Sequence, residues 1–423
     1  MQILFLVIVG VQVVPKRTVV VGLDIGTTKI AAIVGELGAT GDLSIIGLGE
    51  SYSTGLRKGV VVNIELTAKA IEQAMEKAER MSGVAIGSAY IGITGPHIGS
   101  INNRGVVAIT NEQKEIEMDD VRRVLQAAQV VTLQSDRRII HIIPRQYIVD
   151  GYDGISNPVG MSGIRLEVEA VIVTGVNTAI QNILKSIGRA GVKVEELVLN
   201  SMASGEAVLS PAEKELGTVM VDIGGGTTEI AIFDRGSLWF SSVVPLGGDQ
   251  VTNDLAVGLR IPITQAEELK KEHGCVLEAL ISDNDYIEIT EVGGQSSRRV
   301  SRKLIASIIE PRIREIFAFV KAELKRSGYK GTTPGGVVLT GGTASLAGLL
   351  QLVTSELELP TRLGKPVYLG GMADIVNASG YATGIGLLLY GANHLAALQA
   401  APSEDLFKRN YFGRIWSWLR EYF

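Results

Sequence analysis

One short motif occurs twice in the 423-residue sequence. Leu23 to Lys29 reads Leu-Asp-Ile-Gly-Thr-Thr-Lys, and Val221 to Glu229, about 200 residues later, reads Val-Asp-Ile-Gly-Gly-Gly-Thr-Thr-Glu. Glycine lets backbone N–H groups approach a phosphate closely, and the threonine hydroxyls add further donors. An aspartate at the end of a strand is a hard oxygen ligand suited to Mg²⁺, usually through water. A single copy would be a weak sign, because many hairpins contain Gly-Thr for turn geometry alone.

Two copies at half-chain spacing predict two similar α/β halves, each offering one phosphate-binding turn to a shared cleft. Asp24 and Asp222 are the predicted Mg²⁺ ligands, and Lys29 adds positive charge beside the first turn. The remaining predicted phosphate-binding residues are Gly26, Thr27, Thr28, Gly224, Gly225, Gly226, Thr227 and Thr228. Neither a Walker loop nor a dinucleotide-binding fingerprint is present in the sequence.

A third glycine turn, Gly341-Gly342-Thr343-Ala344, follows a predicted strand and precedes a predicted helix from Leu346 to Leu352. Such a turn can place flat backbone against a nucleotide base or ribose. An ordinary strand-to-helix turn would read the same way, and both interpretations stand at this stage.

The last 17 residues, 407–423, form an aromatic and basic segment. As a helix, they place Phe412, Ile415, Trp416, Leu419, Tyr422 and Phe423 on one face, with Trp418 at its boundary and Arg414 and Arg420 behind it. This pattern predicts a helix that lies in the headgroup plane of a membrane rich in anionic lipid. A terminal helix packed on its own domain is the alternative. Two features favour the membrane-binding interpretation over the packed helix. A linker is predicted over 396–406, before the segment, and the segment contains seven aromatic residues although the chain as a whole has few.

Composition excludes several classes of protein. The net charge of −5 argues against a nucleic-acid binder, and a single cysteine, Cys275, excludes an internal disulfide. Residues 1–16 form an apolar extension that is too short for a transmembrane helix and lacks the basic start of a signal peptide. An extra strand, an interfacial segment and a start codon assigned too far upstream all fit it.

Alternating strand and helix patterns predict the α/β class. A buried strand is predicted at Val19–Leu23, leading into the first copy of the motif, and Val219–Phe233 repeats this pattern as strand, Gly-Thr turn and strand. Between 95 and 163 the pattern changes to glycines and polar turns around one helix and one extended stretch, which predicts an inserted small α+β unit.

With these turns, the sequence resembles the actin, Hsp70 and sugar-kinase superfamily of ATP-binding proteins and, within it, the FtsA family of bacterial cell-division proteins. The resemblance runs from about Arg17 to Phe423. Its family-specific segments are Ile143-Pro144-Arg145-Gln146-Tyr147, Asn157-Pro158-Val159-Gly160-Met161-Ser162-Gly163, His273-Gly274-Cys275, Ile309-Glu310-Pro311-Arg312 and the aromatic C-terminus.

The resemblance implies a two-lobed actin-like fold built on two RNase-H-like domains that close over ATP and Mg²⁺. It adds Gly247-Gly248-Asp249 as a turn near the phosphates, and Glu267 and Lys270 as contacts to the ribose and adenine. The implied first lobe covers 17–94, 164–196 and 366–395, and the implied second lobe covers 197–234, 235–302 (a subdomain) and 303–365.

One departure concerns hydrolysis. Relatives in the superfamily carry a glutamate in the first connecting segment that helps position the attacking water, and Asn200 fills that place here. Since an amide cannot act as a general base, we expect tight nucleotide binding with slow or no hydrolysis.

The resemblance also implies partners: the C-terminal tail of the tubulin-like FtsZ, other copies of the chain in an actin-like filament, and later division proteins at the cytoplasmic face of the membrane. A basic cluster of Arg298, Arg299, Arg302 and Lys303 is a plausible contact for the FtsZ tail, although a solvated loop would look the same. A small-molecule kinase and an FtsA-like pilus-assembly ATPase are the alternative functions.

Overall fold

The computed structural model describes residues 18–38, 41–290, 297–367 and 369–400. Its first part is an α/β unit. The elements, in chain order, are β1 (Thr18–Ile25), β2 (Lys29–Leu37), β3 (Leu43–Tyr52), β4 (Leu56–Arg57), β5 (Val60–Val61), α1 (Ile64–Ser82) and β6 (Ser88–Ile93). Helix α1 begins where the Asn63 side chain accepts a hydrogen bond from the Leu66 amide, and it ends at Gly83 in a left-handed conformation.

Next comes the inserted unit, followed by the connection to the second part. The inserted unit contains β7 (Ile98–Ala108), α2 (Met118–Ala128), β8 (Arg137–Val149), β9 (Tyr152–Ile155) and β10 (Arg165–Val176). The connection contains α3 (Asn177–Arg189), β11 (Lys193–Leu199), α4 (Asn200–Val208) and α5 (Pro211–Leu216).

A second α/β unit completes the chain. It contains β12 (Thr218–Ile223), β13 (Thr228–Asp234), β14 (Ser237–Val244), α6 (Gly248–Leu259), α7 (Ile263–His273), β15 (Tyr286–Thr290), β16 (Ser297–Ser301), α8 (Arg302–Arg326), β17 (Val337–Thr340), α9 (Leu349–Leu357) and β18 (Thr361–Leu363). Then β19 (Gly370–Gly371) and α10 (Ala382–Ala400) return to the first sheet.

The two large sheets share one topology. The first has the strand order β11-β6-β1-β2-β3-β19 and the second β14-β13-β12-β17-β18. In each, the strand before the repeated motif pairs antiparallel with the next strand along the chain, and parallel with β6 or β17 on its other side. The repeat in sequence is therefore a repeat in structure, and we call the two parts the first and second lobes.

Two central helices, α4 and α10, lie between the lobes. One continuous core contains residues from both helices, the first sheet and the inner face of the second sheet, including Met220, Phe233 and Val338. A separate core fills the outer side of the second lobe. Because the sheets are held across these two helices, the turns at their strand ends lie at the same side of the molecule.

The structure places four boundaries elsewhere than predicted. Helix α10 runs to Ala400, so the predicted linker does not begin at 396. Strand β10, predicted to belong to the first lobe after residue 163, pairs instead with β7 and β8 in the sheet β7-β10-β8-β9 of the inserted unit. Strand β14, predicted to lie in a subdomain starting at 235, is the edge strand of the second-lobe sheet, and β11 extends the first lobe to Leu199. An apolar run predicts a buried strand but not which sheet it joins.

The inserted unit packs against β14 of the second lobe. The Ser100 hydroxyl donates to the Ser241 carbonyl at 2.7 Å, and the Arg145 guanidinium lies 4.7 Å from the centroid of the Trp239 ring. No helix within the described ranges is both long and apolar enough to span a bilayer.

Candidate functional site

The two copies of the motif form matching turns. In the first, the Gly26 amide donates to the Lys29 carbonyl at 3.0 Å, and in the second the Gly224 amide donates to the Thr227 carbonyl at 2.9 Å. Both are tight hairpin connections, β1 to β2 and β12 to β13, as the repeated Asp-Ile-Gly pattern predicts.

These two turns touch across the space between the lobes. A Cβ added to Gly225 would lie 1.8 Å from the Thr28 hydroxyl oxygen, and one added to Gly226 would lie 2.5 Å from that of Thr27. The Thr28 hydroxyl also donates to Asp249 Oδ1 at 3.1 Å. Glycine at these positions is what allows the two lobes to approach so closely.

The beginning of α6 lies directly on the second turn. The Gly248 amide donates to the Gly224 carbonyl at 2.9 Å, and the Asp249 amide donates to the Gly225 carbonyl at 2.8 Å. The predicted Gly247-Gly248 turn therefore lies beside the second phosphate turn, where the N-terminus of a helix favours an anion.

The third turn joins the same group. The Thr343 hydroxyl donates to the Gly224 carbonyl at 3.1 Å. Gly341 has φ +87°, and a Cβ there would lie 2.4 Å from Asp222 Oδ1, so this position requires glycine. Gly342 differs, because a Cβ there would have no protein atom within 4 Å. Ala344 is buried beneath the turn, and the helix predicted from Leu346 begins at Leu349.

Glu267 and Lys270 form a buried polar network at the start of α6. The Lys270 ammonium donates to Glu267 Oε2 at 2.6 Å, to the Thr252 hydroxyl at 2.8 Å and to the Gly248 carbonyl at 3.2 Å. Burial is the largest single effect on the Glu267 carboxyl and opposes its ionisation, but the charge and hydrogen bond of Lys270, with smaller effects of Thr252 and Lys271, together lower the pKa of Glu267. The network thus fixes a positive charge within reach of the second and third turns.

The two predicted metal-binding aspartates lie at the strand ends beneath the turns. Desolvation raises the pKa of Asp24 to about 7; the charge of Lys29 opposes this shift, and that of Asp222 adds to it. Burial also raises the pKa of Asp222, although its carboxylate accepts a 2.7 Å hydrogen bond from Ser204 on α4. Within the described ranges, no three metal-binding side chains converge. Two carboxylates suit Mg²⁺, which takes its other ligands from water and phosphates.

Lys29, predicted to add positive charge beside the first turn, makes two local contacts. Its ammonium lies 2.8 Å from the Glu50 carboxylate and 3.6 Å from the centroid of the Tyr381 ring. It therefore joins β2 to β3 and to the segment that follows the third turn, while its charge still acts on Asp24.

Most of the predicted basic cluster takes part in local contacts. Arg302 pairs with Asp285 at 2.7 Å, Lys303 pairs with Asp283, and Arg298 donates to the Leu259 carbonyl at 2.9 Å. Arg299 is exposed, with its guanidinium 5.0 Å from the centroid of the Tyr286 ring. The predicted extension (1–16) and the predicted membrane helix (407–423) lie outside the described residues.

Two residues of the site were missed from the sequence, whereas Asp249 is part of the predicted turn Gly247-Gly248-Asp249. Ser204 and Thr383 had no signal in the sequence, because they come from α4 and α10 and meet only in the fold, where their hydroxyls lie 2.9 Å apart.

Comparisons with known proteins agree with this architecture. A family described as "Cell division protein FtsA" matches residues 219–386, and one described as "SHS2 domain inserted in FTSA" matches 95–174, which covers nearly all of the inserted unit. The cell division protein FtsA of Pseudomonas aeruginosa is 46% identical, over 88% of this chain and 89% of its own.

Two solved structures share the fold at low identity. A type IV pilus biogenesis complex, PilM-PilN, superposes with a TM-score of 0.63 at 16% identity, over 88% of this chain and 98% of that one. MreB5 of Spiroplasma citri bound to ADP gives a TM-score of 0.55 at 14% identity, over 90% of this chain and 99% of that one. The predicted actin-like α/β fold with a small insertion is thus confirmed, and the chain belongs to the FtsA family of cell division proteins.

Proposed function

We propose that this chain binds ATP with Mg²⁺ between its lobes, polymerises as actin does, and anchors FtsZ filaments to the cytoplasmic face of the cell membrane. The observation that carries the nucleotide part is the convergence of three glycine turns, in which a Cβ added to Gly342 would meet no protein atom within 4 Å. In the same role, the chain recruits later division proteins to the division site.

The residues of the site fit such a ligand. Gly26, Thr27, Thr28, Gly224, Gly225, Gly226, Thr227 and Thr228 offer donors to phosphate oxygens, together with the helix terminus at Gly247 and Gly248. Asp24 and Asp222 would hold Mg²⁺ through water, and the cation would offset the unfavourable desolvation of both carboxylates. Gly341, Gly342, Thr343 and Ala344 would form the surface under the base and ribose.

Glu267 and Lys270 have distinct roles in this proposal. Lys270 is buried and already donates to three acceptors, so it supports the turn at Gly248 and supplies a fixed positive charge. Glu267 is only partly buried, so its carboxylate can accept a hydrogen bond from a ribose hydroxyl.

The membrane part rests on the sequence of residues 407–423 and on membership of the family. The aromatic face defined by Phe412, Ile415, Trp416, Leu419, Tyr422 and Phe423, with Trp418 at its edge, would enter the interface of the bilayer. Arg414 and Arg420 would contact anionic headgroups, each contributing roughly 1 kcal/mol. A linker before this helix would let the folded body face FtsZ.

A flotation experiment with anionic vesicles tests the anchor. The full chain, incubated with vesicles of phosphatidylglycerol and phosphatidylethanolamine, should float with them and carry FtsZ filaments along. Trp416→Glu places a charge on the aromatic face and should abolish flotation. Ser417→Glu adds the same charge on the opposite face and should retain most of it. Equal flotation of both variants with the wild type would refute the anchor.

A further inference from the structure

The inserted unit is joined to the two lobes in different ways. Both of its chain connections lead to the first lobe, from β6 and into α3. Three of its apolar side chains, Ile140, Val171 and Val173, belong to the continuous core around the first sheet and the central helices. Toward β13 and β14 of the second lobe it presents hydrogen bonds and a cation–π contact. Because apolar burial holds elements together more firmly than exposed polar contacts do, the inserted unit should move with the first lobe.

On the inserted unit, the contact is made by Arg145 and Gln146, which belong to the family-specific segment 143–147 of β8. Glu169 on β10 holds both side chains. The Gln146 amide donates to Glu169 Oε2 at 2.9 Å, and the Arg145 guanidinium lies 3.6 Å from the same oxygen. The Gly154 amide donates to Gln146 Oε1 at 3.1 Å. Both side chains are therefore positioned by their own unit for contact with the second lobe.

On the second lobe, the partners are Trp239 on β14 and Arg235 in the turn between β13 and β14. The Trp239 ring has the Arg145 guanidinium 4.7 Å from its centroid and the Tyr329 ring edge-on at 4.9 Å. Arg235 Nη1 donates to Gln146 Oε1 at 3.2 Å. Arg235 has φ +50°, a left-handed conformation for which a two-residue hairpin turn favours glycine or asparagine. An arginine at such a position indicates that its side chain has a role, and the hydrogen bond to the inserted unit supplies one.

The same lobes also meet at the phosphate turns, where the Thr28 hydroxyl donates to Asp249 Oδ1. The second phosphate turn lies at the start of β13, and Arg235 follows the other end of this strand, roughly 20 Å away. The lobes are therefore bridged at two separate places, one at the proposed nucleotide site and one at the inserted unit. Since both places depend on the relative position of the lobes, binding at one favours contact at the other.

We propose that Arg145 and Gln146 form a latch with Trp239 and Arg235, and that this latch favours the lobe arrangement in which the nucleotide binds. The proposal rests on the proposed ATP binding. While the latch is closed, less free energy is needed to order the lobes around the ligand, so ATP affinity is higher. The coupling is reciprocal. Bound ATP stabilises the latch, and a partner that drew the inserted unit away from β14 would weaken ATP binding by the same factor by which ATP weakens binding of that partner.

The double variant Arg145→Ala/Arg235→Asn, made in the full chain, removes both contacts of the latch. Asparagine suits the left-handed turn at 235, so this half of the variant should not disturb folding. ATP affinity should fall by about 5- to 30-fold, because one cation–π contact and one hydrogen bond no longer favour the binding arrangement. The matched control is Arg326→Ala. The Arg326 guanidinium lies 5.9 Å from the centroid of the Phe240 ring, and both residues belong to the second lobe, so the control should leave ATP affinity unchanged.

The fluorescence of Trp239 gives a second readout that does not require the double variant. The other tryptophans of the chain are Trp416 and Trp418, so a full chain carrying Trp416→Phe and Trp418→Phe reports on Trp239 alone. Saturating ATP with Mg²⁺ should lower acrylamide quenching of this fluorescence, since the closed latch covers the ring with Arg145. Quenching that ATP leaves unchanged, or wild-type ATP affinity in the double variant, would overturn the latch. A wild-type chain that binds no ATP would instead overturn the proposed function.

Discussion

Gly342→Ala tests whether the third turn contacts the nucleotide, because it should affect nucleotide binding without disturbing folding. A Cβ at Gly342 meets no protein atom within 4 Å, and the backbone there is outside the left-handed region, so the substitution should leave folding undisturbed. Replacing glycine by alanine at a compatible position stabilises a protein by about 0.4–1 kcal/mol through the unfolded state. The melting temperature should therefore stay the same or rise slightly.

Nucleotide affinity should fall in the same variant. If the base or ribose lies on this turn, the added methyl group occupies space that the ligand needs. Overpacking of this kind costs about 1–3 kcal/mol, which corresponds to an affinity loss of about 5- to 150-fold. Titration with a fluorescent ATP analogue measures the affinity, and circular dichroism on the same samples measures the melting temperature.

Two further glycine variants serve as controls. Gly188→Ala, near the end of α3, also meets open space and should change neither affinity nor melting temperature by much. Gly225→Ala places a Cβ 1.8 Å from the Thr28 oxygen, so it should damage affinity and stability together by forcing the two phosphate turns apart. Wild-type ATP affinity in Gly342→Ala would show that the adenosine does not rest on the third turn.

Three other variants test parts of the site and its surroundings. Because burial raises the pKa of Asp24 from 3.8 to about 7, ionisation of Asp24 destabilises the fold as the pH rises from about 4 to 7. Asp24→Asn should therefore raise the melting temperature at pH 8 but not at pH 4, and it should weaken Mg²⁺-dependent ATP binding. An equal change of melting temperature at both pH values would contradict the raised pKa. Lys270→Met leaves the Glu267 carboxylate without its buried partner and should lower the free energy of unfolding, measured with urea, by about 3 kcal/mol. Adding Glu267→Leu should restore part of this stability. No recovery in the double variant would mean that Lys270 stabilises the fold independently of Glu267. Arg299→Glu should weaken binding of an acidic FtsZ tail peptide in fluorescence anisotropy, with Lys325→Glu at the end of α8 as the control; equal affinities would place the tail elsewhere.

Local patterns in the sequence predicted the glycine turns, because each turn is a local structure. The paired Asp-Ile-Gly motifs become two hairpins with the same strand pairing, because a short apolar run followed by glycine and threonine specifies a strand and a tight turn. The third turn is found for the same reason. None of these patterns reveals that Thr28 touches Asp249, since that contact spans the two lobes.

Where contacts between distant segments decide the outcome, prediction failed. Strand β10 has the same apolar character as a strand of the first lobe, and only its pairing with β7 and β8 places it in the inserted unit. Lys29 lies in the predicted turn, and the sequence did not show that its ammonium contacts the Glu50 carboxylate and the Tyr381 ring. The sequence shows that a side chain is charged, but not which groups it contacts.

The same limit bears on the expectation of slow hydrolysis. That expectation considered one position, Asn200, and an amide there cannot accept a proton. In the fold, the Asn200 side chain makes a hydrogen bond with the buried carboxyl of Glu229, which lies in the second copy of the motif. The sequence could not show this contact, because it joins the two lobes. Burial raises the pKa of Glu229 well above its usual range, so this carboxyl is no substitute for the missing base, and slow or no hydrolysis stays the prediction for this chain.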